Sequence, residues 1–266
     1  MSWVITGSQK NKGLLDEFTG AAAAYSLRNL TILNDAPVVR VRRSSDNAES
    51  DFRASEVSGG ALASWVGGSN NGFVRTWYDQ SGNGRHAQQA TTANQPSIVS
   101  NGSLITDTSK PALSFSSQFL RTSAFGGWDN DTTLCVFKAT TQGRFVLDGD
   151  SINQLSLWTT NTAGSLRYLA DNTALVHANL YSINTRALFT GVSLRSASSV
   201  VAVNGDSRTG DIGTGKRNGL TIGAPGSQAT GSAHVGTMQE LIIYPSDQSA
   251  NRSAIEANIN AHYAIY

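Results

Sequence analysis

Cysteine is nearly absent. The 266 residues hold one, Cys135, so no disulfide can form within the chain. It sits in the apolar run Leu134-Cys135-Val136-Phe137, and a buried structural thiol is expected there. Charge is also scarce: 15% of residues are Asp, Glu, Lys or Arg, and the net charge is +1. A balance so near zero gives no long-range attraction towards nucleic acid or an anionic membrane, so neither is expected as a partner. No apolar run approaches the length of a membrane-crossing helix, and no membrane insertion is expected. The opening Met1-Ser2-Trp3-Val4-Ile5-Thr6 lacks a basic stretch followed by an apolar one. The expectation is therefore synthesis in the cytoplasm without a secretion signal.

What remains is rich in Gly, Ser, Thr and Asn, with apolar residues in short bursts. Residues 1–13 show no clear period and read as an arm or edge strand. Residues 14–30 place Leu14, Phe18, Ala21 or Ala22 and Tyr25 at helical spacing, and the four alanines 21–24 favour helix. Val39-Arg40-Val41-Arg42 alternates and reads as a strand with valines on one face and arginines on the other. A short helix is expected near 61–66 and a strand at 73–79. From 112 onward the rhythm is regular, with strands expected at 112–116, 132–140, 144–148, 154–159, 165–170, 173–178, 187–194, 198–203, 218–223 and 234–244. Gly, Asn, Asp and Ser fill the gaps. Short strands with turn signals between them argue for a sandwich or barrel. Leu241-Ile242-Ile243 is apolar on both faces, which requires something to cover the outer one. A closing helix is expected with Ser246 or Asp247 as its N-cap and Ile255, Ile259, Tyr263 and Tyr266 as its buried stripe. No repeat or linker forces a boundary, so 14–266 reads as a single domain.

Two sets of residues carry a resemblance. Val203-Asn204-Gly205, Leu220-Thr221-Ile222-Gly223 and Gly236-Thr237-Met238-Gln239-Glu240-Leu241-Ile242-Ile243-Tyr244 resemble the closing strands of laminin-G/concanavalin A-like jelly rolls. Ala24-Tyr25-Ser26-Leu27, Val39–Asn47 and Trp77-Tyr78-Asp79-Gln80-Ser81-Gly82-Asn83-Gly84-Arg85-His86 are similar to the catalytic domain of the arabinofuranosidase B family. The same combination is common in tail and structural proteins of tailed bacteriophages. The resemblance implies an all-β, concanavalin A-like antiparallel β-sandwich (jelly roll) with short terminal helices. It also implies a virion structural protein, as tail fibre, spike or head-decoration subunit, assembled in the host cytoplasm. Its implied partners are other virion proteins, further copies of itself and host-surface polysaccharide.

The alternative is a glycoside hydrolase of arabinofuranosidase B type. That family carries a nucleophilic Glu in a D-x-E-N-N stretch, and its acid/base Asp in a G-G-D-N-S loop. The matching stretches here are Leu169-Ala170-Asp171-Asn172-Thr173 and Ile222-Gly223-Ala224-Pro225-Gly226-Ser227. The nucleophile position holds the shorter Asp171, the loop has no acid, and the family's adjacent cysteine pair is missing. The expectation is a chain without enzymatic activity, catalytic residues or cofactor.

Candidate sugar contacts are Tyr78, Asp79, Asn83, Trp158, Tyr168 and Asp171, since sugar sites combine aromatic rings with amides and carboxylates. Asp79 and Asn83 read equally as turn-formers that bond local backbone. Asp148-Gly149-Asp150 could offer oxygens to Ca²⁺, although a plain turn is the simpler reading. His86, His177, His234 and His262 show no metal-ligand spacing.

Overall fold

A computed structural model describes residues 12–33, 35–152, 154–162, 164–178 and 181–266. The chain is an antiparallel β-sandwich with few short helices. The expected N-terminal arm, with Trp3, Val4 and Ile5, lies outside the described residues except for its last two.

One layer is centred on the two longest strands, Asp131–Ala139 and Val235–Tyr244, which pair along their length. Ala187–Ser193, Ser199–Val203 and Asp206–Gly210 come next on the Asp131–Ala139 side. Ala23–Ser26 and Leu113–Ser116 share the far side of Val235–Tyr244. The other layer runs from Glu49–Phe52 through Val39–Arg43 and Gly72–Trp77 to Ala87–Gln88. It continues through Leu120–Arg121, Thr221–Ile222, Arg144–Asp148, Gln154–Thr159 and Leu166–Ala170 to Thr173–His177. The layers join where Ser97 pairs with Ser114. Tyr168 of one layer packs on Gly191 of the other so closely that a Cβ there would lie 2.5 Å from the ring.

Alternation explains the doubly apolar strand. Leu241 and Ile243 enter the central core, whereas Ile242 and Tyr244 face outward beneath the terminal helices. Leu14, Leu15, Ile255, Ile259 and Tyr263 cover them. Burying such side chains contributes roughly 1.5–3 kcal/mol each, which fixes the helices on this face.

Three local expectations are corrected. The helix over 14–30 is confined to Leu14–Glu17, and Ala23–Ser26 is a fully buried strand. Gly20 takes φ +85°, and the alanine backbone pairs with Leu241–Ile243. Strand pairing and burial outweigh a propensity worth tenths of a kcal/mol per residue. The alternation of Val39–Arg43 holds, with both valines in the core; the bulge beside it lies in Gly72–Trp77, where Arg75 is left unpaired in the register. Arg42 is buried against Gln95 and Asn47, and Arg40 pairs with Asp51. The last helix, Arg252–Tyr263, starts at Asn251, while Asp247 accepts the Ser249 N–H in a turn of its own. Tyr266 is exposed, because Ala264 turns left-handed and ends the helix before it. Among the described residues no helix is long and apolar enough to cross a membrane.

Candidate functional site

Asp148, at the end of the strand Arg144–Asp148, anchors the 222–227 loop. Its Oδ1 accepts from Gly149 N (2.8 Å), Gln154 N (3.0 Å) and Ser156 Oγ (2.5 Å), and its Oδ2 from Gly226 N (3.0 Å). Gln154 pairs with Ala170 across the strands. Asp148 therefore bonds the 222–227 loop directly and meets the 169–173 stretch only through Gln154, the strand partner of Ala170. Four donors on one carboxylate also make the plain-turn reading of Asp148 the structural one. Among the described residues no group of three or more His, Cys, Asp or Glu could hold a metal ion.

Two further carboxylates border this junction. Asp150 is half-buried, and its Oδ1 has no hydrogen-bond partner among the described residues. Its Oδ2 accepts a long bond from Asn218 Nδ2 (3.3 Å), and its backbone N–H donates to Asn218 O (2.8 Å). Arg121 donates to the Asp150 carbonyl at 3.1 Å while its own Nε is buried without a partner. Each of these two atoms, Asp150 Oδ1 and Arg121 Nε, is a buried polar atom without a partner among the described residues, where such groups are ordinarily paired. Asp171 stands exposed at the turn between Leu166–Ala170 and Thr173–His177, at φ +55°. Its carboxylate lies against Gly215 and accepts from Thr214 Oγ1 at 3.4 Å.

Both carboxylates therefore touch one segment, 211–219, and that segment is held firmly. Arg217 is fully buried and forms a two-bond pair with Asp131 (2.8 and 3.2 Å) plus a bond to Thr133 Oγ1 (2.8 Å). Arg195 donates to the carbonyls of Trp128, Asp129 and Thr214, and Lys216 pairs with Asp129 at 2.7 Å. Gly126 lies so close to Arg217 that a Cβ would fall 2.0 Å from its carbonyl oxygen. Only glycine permits that approach.

The six sequence-derived candidates divide. Asp171 is at this end. Tyr168 lies beneath it, fully buried, its hydroxyl bonding Thr133 Oγ1 at 3.1 Å. Trp158 is half-buried further along the second layer, stacked on Phe145 at 5.2 Å with Arg167 over its ring. It lies four residues from Gln154, roughly 13 Å along the strand. Tyr78, Asp79 and Asn83 belong to a clasp in the 78–86 loop. Asp79 accepts from Ala24 N (2.8 Å), Ser81 N (2.9 Å), Ser81 Oγ (2.9 Å) and Arg85 N (3.0 Å). Asn83 donates to the carbonyls of Ala21 and Ala22, both at 3.0 Å. The Tyr78 hydroxyl donates to Asp51 at 2.8 Å, and burial with that bond pushes its pKa up to about 12. This clasp pins the buried alanine strand. Arg85 connects it to the other end by lying over Phe125 and Trp128.

Asp150, Arg121 and Asn218 were not among the sequence candidates for sugar contact. Asp150 was weighed only as a cation ligand. Its nearness to the arabinofuranosidase-like stretches comes from strand pairing, which no local motif displays.

No family model matches the chain. No curated protein matches it either. Solved structures do. A GH54 α-L-arabinofuranosidase variant soaked with 4-nitrophenyl α-L-arabinofuranoside matches at TM-score 0.66 and 18% identity, covering 92% of this chain. The same enzyme type with a cyclic sulfate inhibitor matches equally well. An arabinofuranosidase complexed with arabinofuranosyl-α-1,2-xylobiose matches at TM-score 0.58 and 18% identity. The chain has the fold of these enzymes. It spans 63% of the length of each of them.

These matches correct the expectation of a chain without enzymatic activity, because the structures that share its fold over 92% of its length are glycoside hydrolases. In three dimensions Asp148 and Asp150 lie at the junction where the loop acid was found missing.

Proposed function

We propose that this chain is a carbohydrate-active domain that hydrolyses a glycosidic bond at the Asp150–Asp171 end of its second layer. The observation that carries this reading is the placement of two carboxylates, Asp150 and Asp171, on the one 211–219 segment, through Asn218 and Thr214. The shared fold of the arabinofuranosidase structures supports it. Glycoside hydrolysis needs two carboxyl groups, one to protonate the departing oxygen and one to attack or to activate water. Asp171 is one methylene shorter than the Glu at the matching family position. A host-surface polysaccharide is the proposed substrate. Display on a phage particle rests on the motif combination, and mass spectrometry of purified particles should find the chain in stoichiometric amount.

The test is sugar release from aryl furanosides, aryl pyranosides and bacterial surface polysaccharides by the purified protein. Asp150→Asn and Asp171→Asn should each lower turnover by about 100-fold or more with the circular dichroism spectrum unchanged. Absence of turnover across the panel by folded protein, or turnover indifferent to both substitutions, overturns the reading.

A further inference from the structure

A pocket of about 370 Å³ opens elsewhere on the molecule, between the Arg252–Tyr263 helix, the Ala54–Ser58 helix and the 106–111 hairpin. That volume falls within the range of small-molecule sites. Leu27, Ala54 and Pro111 give it apolar wall, and Lys110, Arg28 and His262 give it nitrogen donors. Among the described residues neither Asp nor Glu lines it. Arg28 is already neutralised by Glu240 behind it, at 2.8 and 2.9 Å. Lys110 has no carboxylate partner among the described residues. Arg186, which packs against Tyr263, bonds backbone carbonyls and Gln239 rather than an acid. The neighbourhood therefore carries more positive than negative charge on a molecule that is nearly neutral overall.

The hairpin that delivers Lys110 is strained. Asp107 pairs with Lys110, so Thr108 and Ser109 are the two central turn residues, at φ +47° and +65°. Such turns ordinarily use Asn-Gly, since both central positions need positive φ. Thr and Ser in those positions cost energy, and the cost falls at the lip of this pocket.

We propose that the pocket binds a carboxylate-bearing sugar, a uronate unit, with its carboxylate on Lys110 and its hydroxyls on Ser55, Ser109 and Asn29. The excess of donors selects an anion, and the hydroxyls beside an apolar wall suit a sugar ring better than a bare ion. Preference for a sugar over another small carboxylate rests on the carbohydrate reading above; the anion site does not. His262 supplies an internal reporter. Burial, then the charges of Arg28 and Lys110, lower its pKa to about 4, against a raising effect of Glu240 and a lowering one of Arg186. A carboxylate seated beside it adds a raising effect of its own.

Calorimetric titration with glucuronate and galacturonate, beside glucose, acetate and inorganic phosphate, tests this on the full chain. Binding by a uronate, weakened at least about tenfold by Lys110→Ala and largely kept by Lys110→Arg, is expected. The His262 proton resonances should titrate at higher pH in the complex. Asp171→Asn should leave this binding intact, which separates it from the hydrolytic site. Equal binding of acetate or phosphate overturns the sugar assignment. No binding of either uronate, or binding indifferent to Lys110→Ala, overturns the site.

Discussion

The turn beginning at Asp79 and the turn beginning at Asp148 look alike in sequence, each an Asp among Gly and Ser, and they begin alike in structure. Each leading carboxylate collects four donors and ties distant segments together, Asp79 the alanine strand and Asp148 the 222–227 loop. They differ in the residues that come after. The first turn goes on to Asn83, whose amide is spent on two backbone carbonyls. The second goes on to Asp150, whose Oδ1 has no partner among the described residues. What an acid does is read from its remaining hydrogen-bond capacity rather than from the motif around it.

The contrast can be broken experimentally. Asp79→Ala and Asp148→Ala should be the most damaging changes, each costing about 3 kcal/mol or more, because several buried N–H groups lose their acceptor at once. Urea denaturation measures this, and a cost under about 1 kcal/mol at either position would remove it from the architectural class.

A related effect depends on pH. His234 donates its backbone N–H to Gly223 O at 2.7 Å and so helps close the loop over the second turn. Burial lowers its pKa to about 4. The unfolded chain takes up a proton near pH 6.5 that the folded chain refuses until about pH 4. The contribution of His234 is therefore full above pH 6.5 and falls by about 3 kcal/mol as pH drops to 4, with half-buried His262 adding a loss in the same window. His234→Gln should flatten that part of the stability–pH curve, and an unchanged slope would assign it to other groups. The smallest stability effects belong to Asp150→Asn and Asp171→Asn, within about 0.5 kcal/mol of the parent, despite their expected loss of turnover. Large destabilisation by either would make the second turn architectural throughout, like the first.

Periodicity made much of the fold legible. The strands at 144–148 and 154–159 and the paired pattern of 234–244 come from alternation, and Ile255, Ile259 and Tyr263 from helical spacing. Local bias misled where tertiary pairing outweighed it, as in the alanine strand. Short strands such as Ala87–Gln88 and Leu120–Arg121 carry too few residues to show a period. Asp171 was legible through its motif. Asp150 and Arg121 were not, because their significance is a relation between segments.

The sequence by itself determined the sandwich, the free buried Cys135, the apolar underside that needs a terminal helix, and the clasp residues of the 78–86 loop. These depend on period, composition and turn chemistry, which act over a few neighbouring residues. Only the tertiary structure decided that Asp148 bonds the remote 222–227 loop, that Asp150 keeps an oxygen without a partner among the described residues, and that Lys110 faces a pocket without an acid among those residues. A side chain's free capacity is what remains after every partner in space has been counted, and those partners are set by which strands pair.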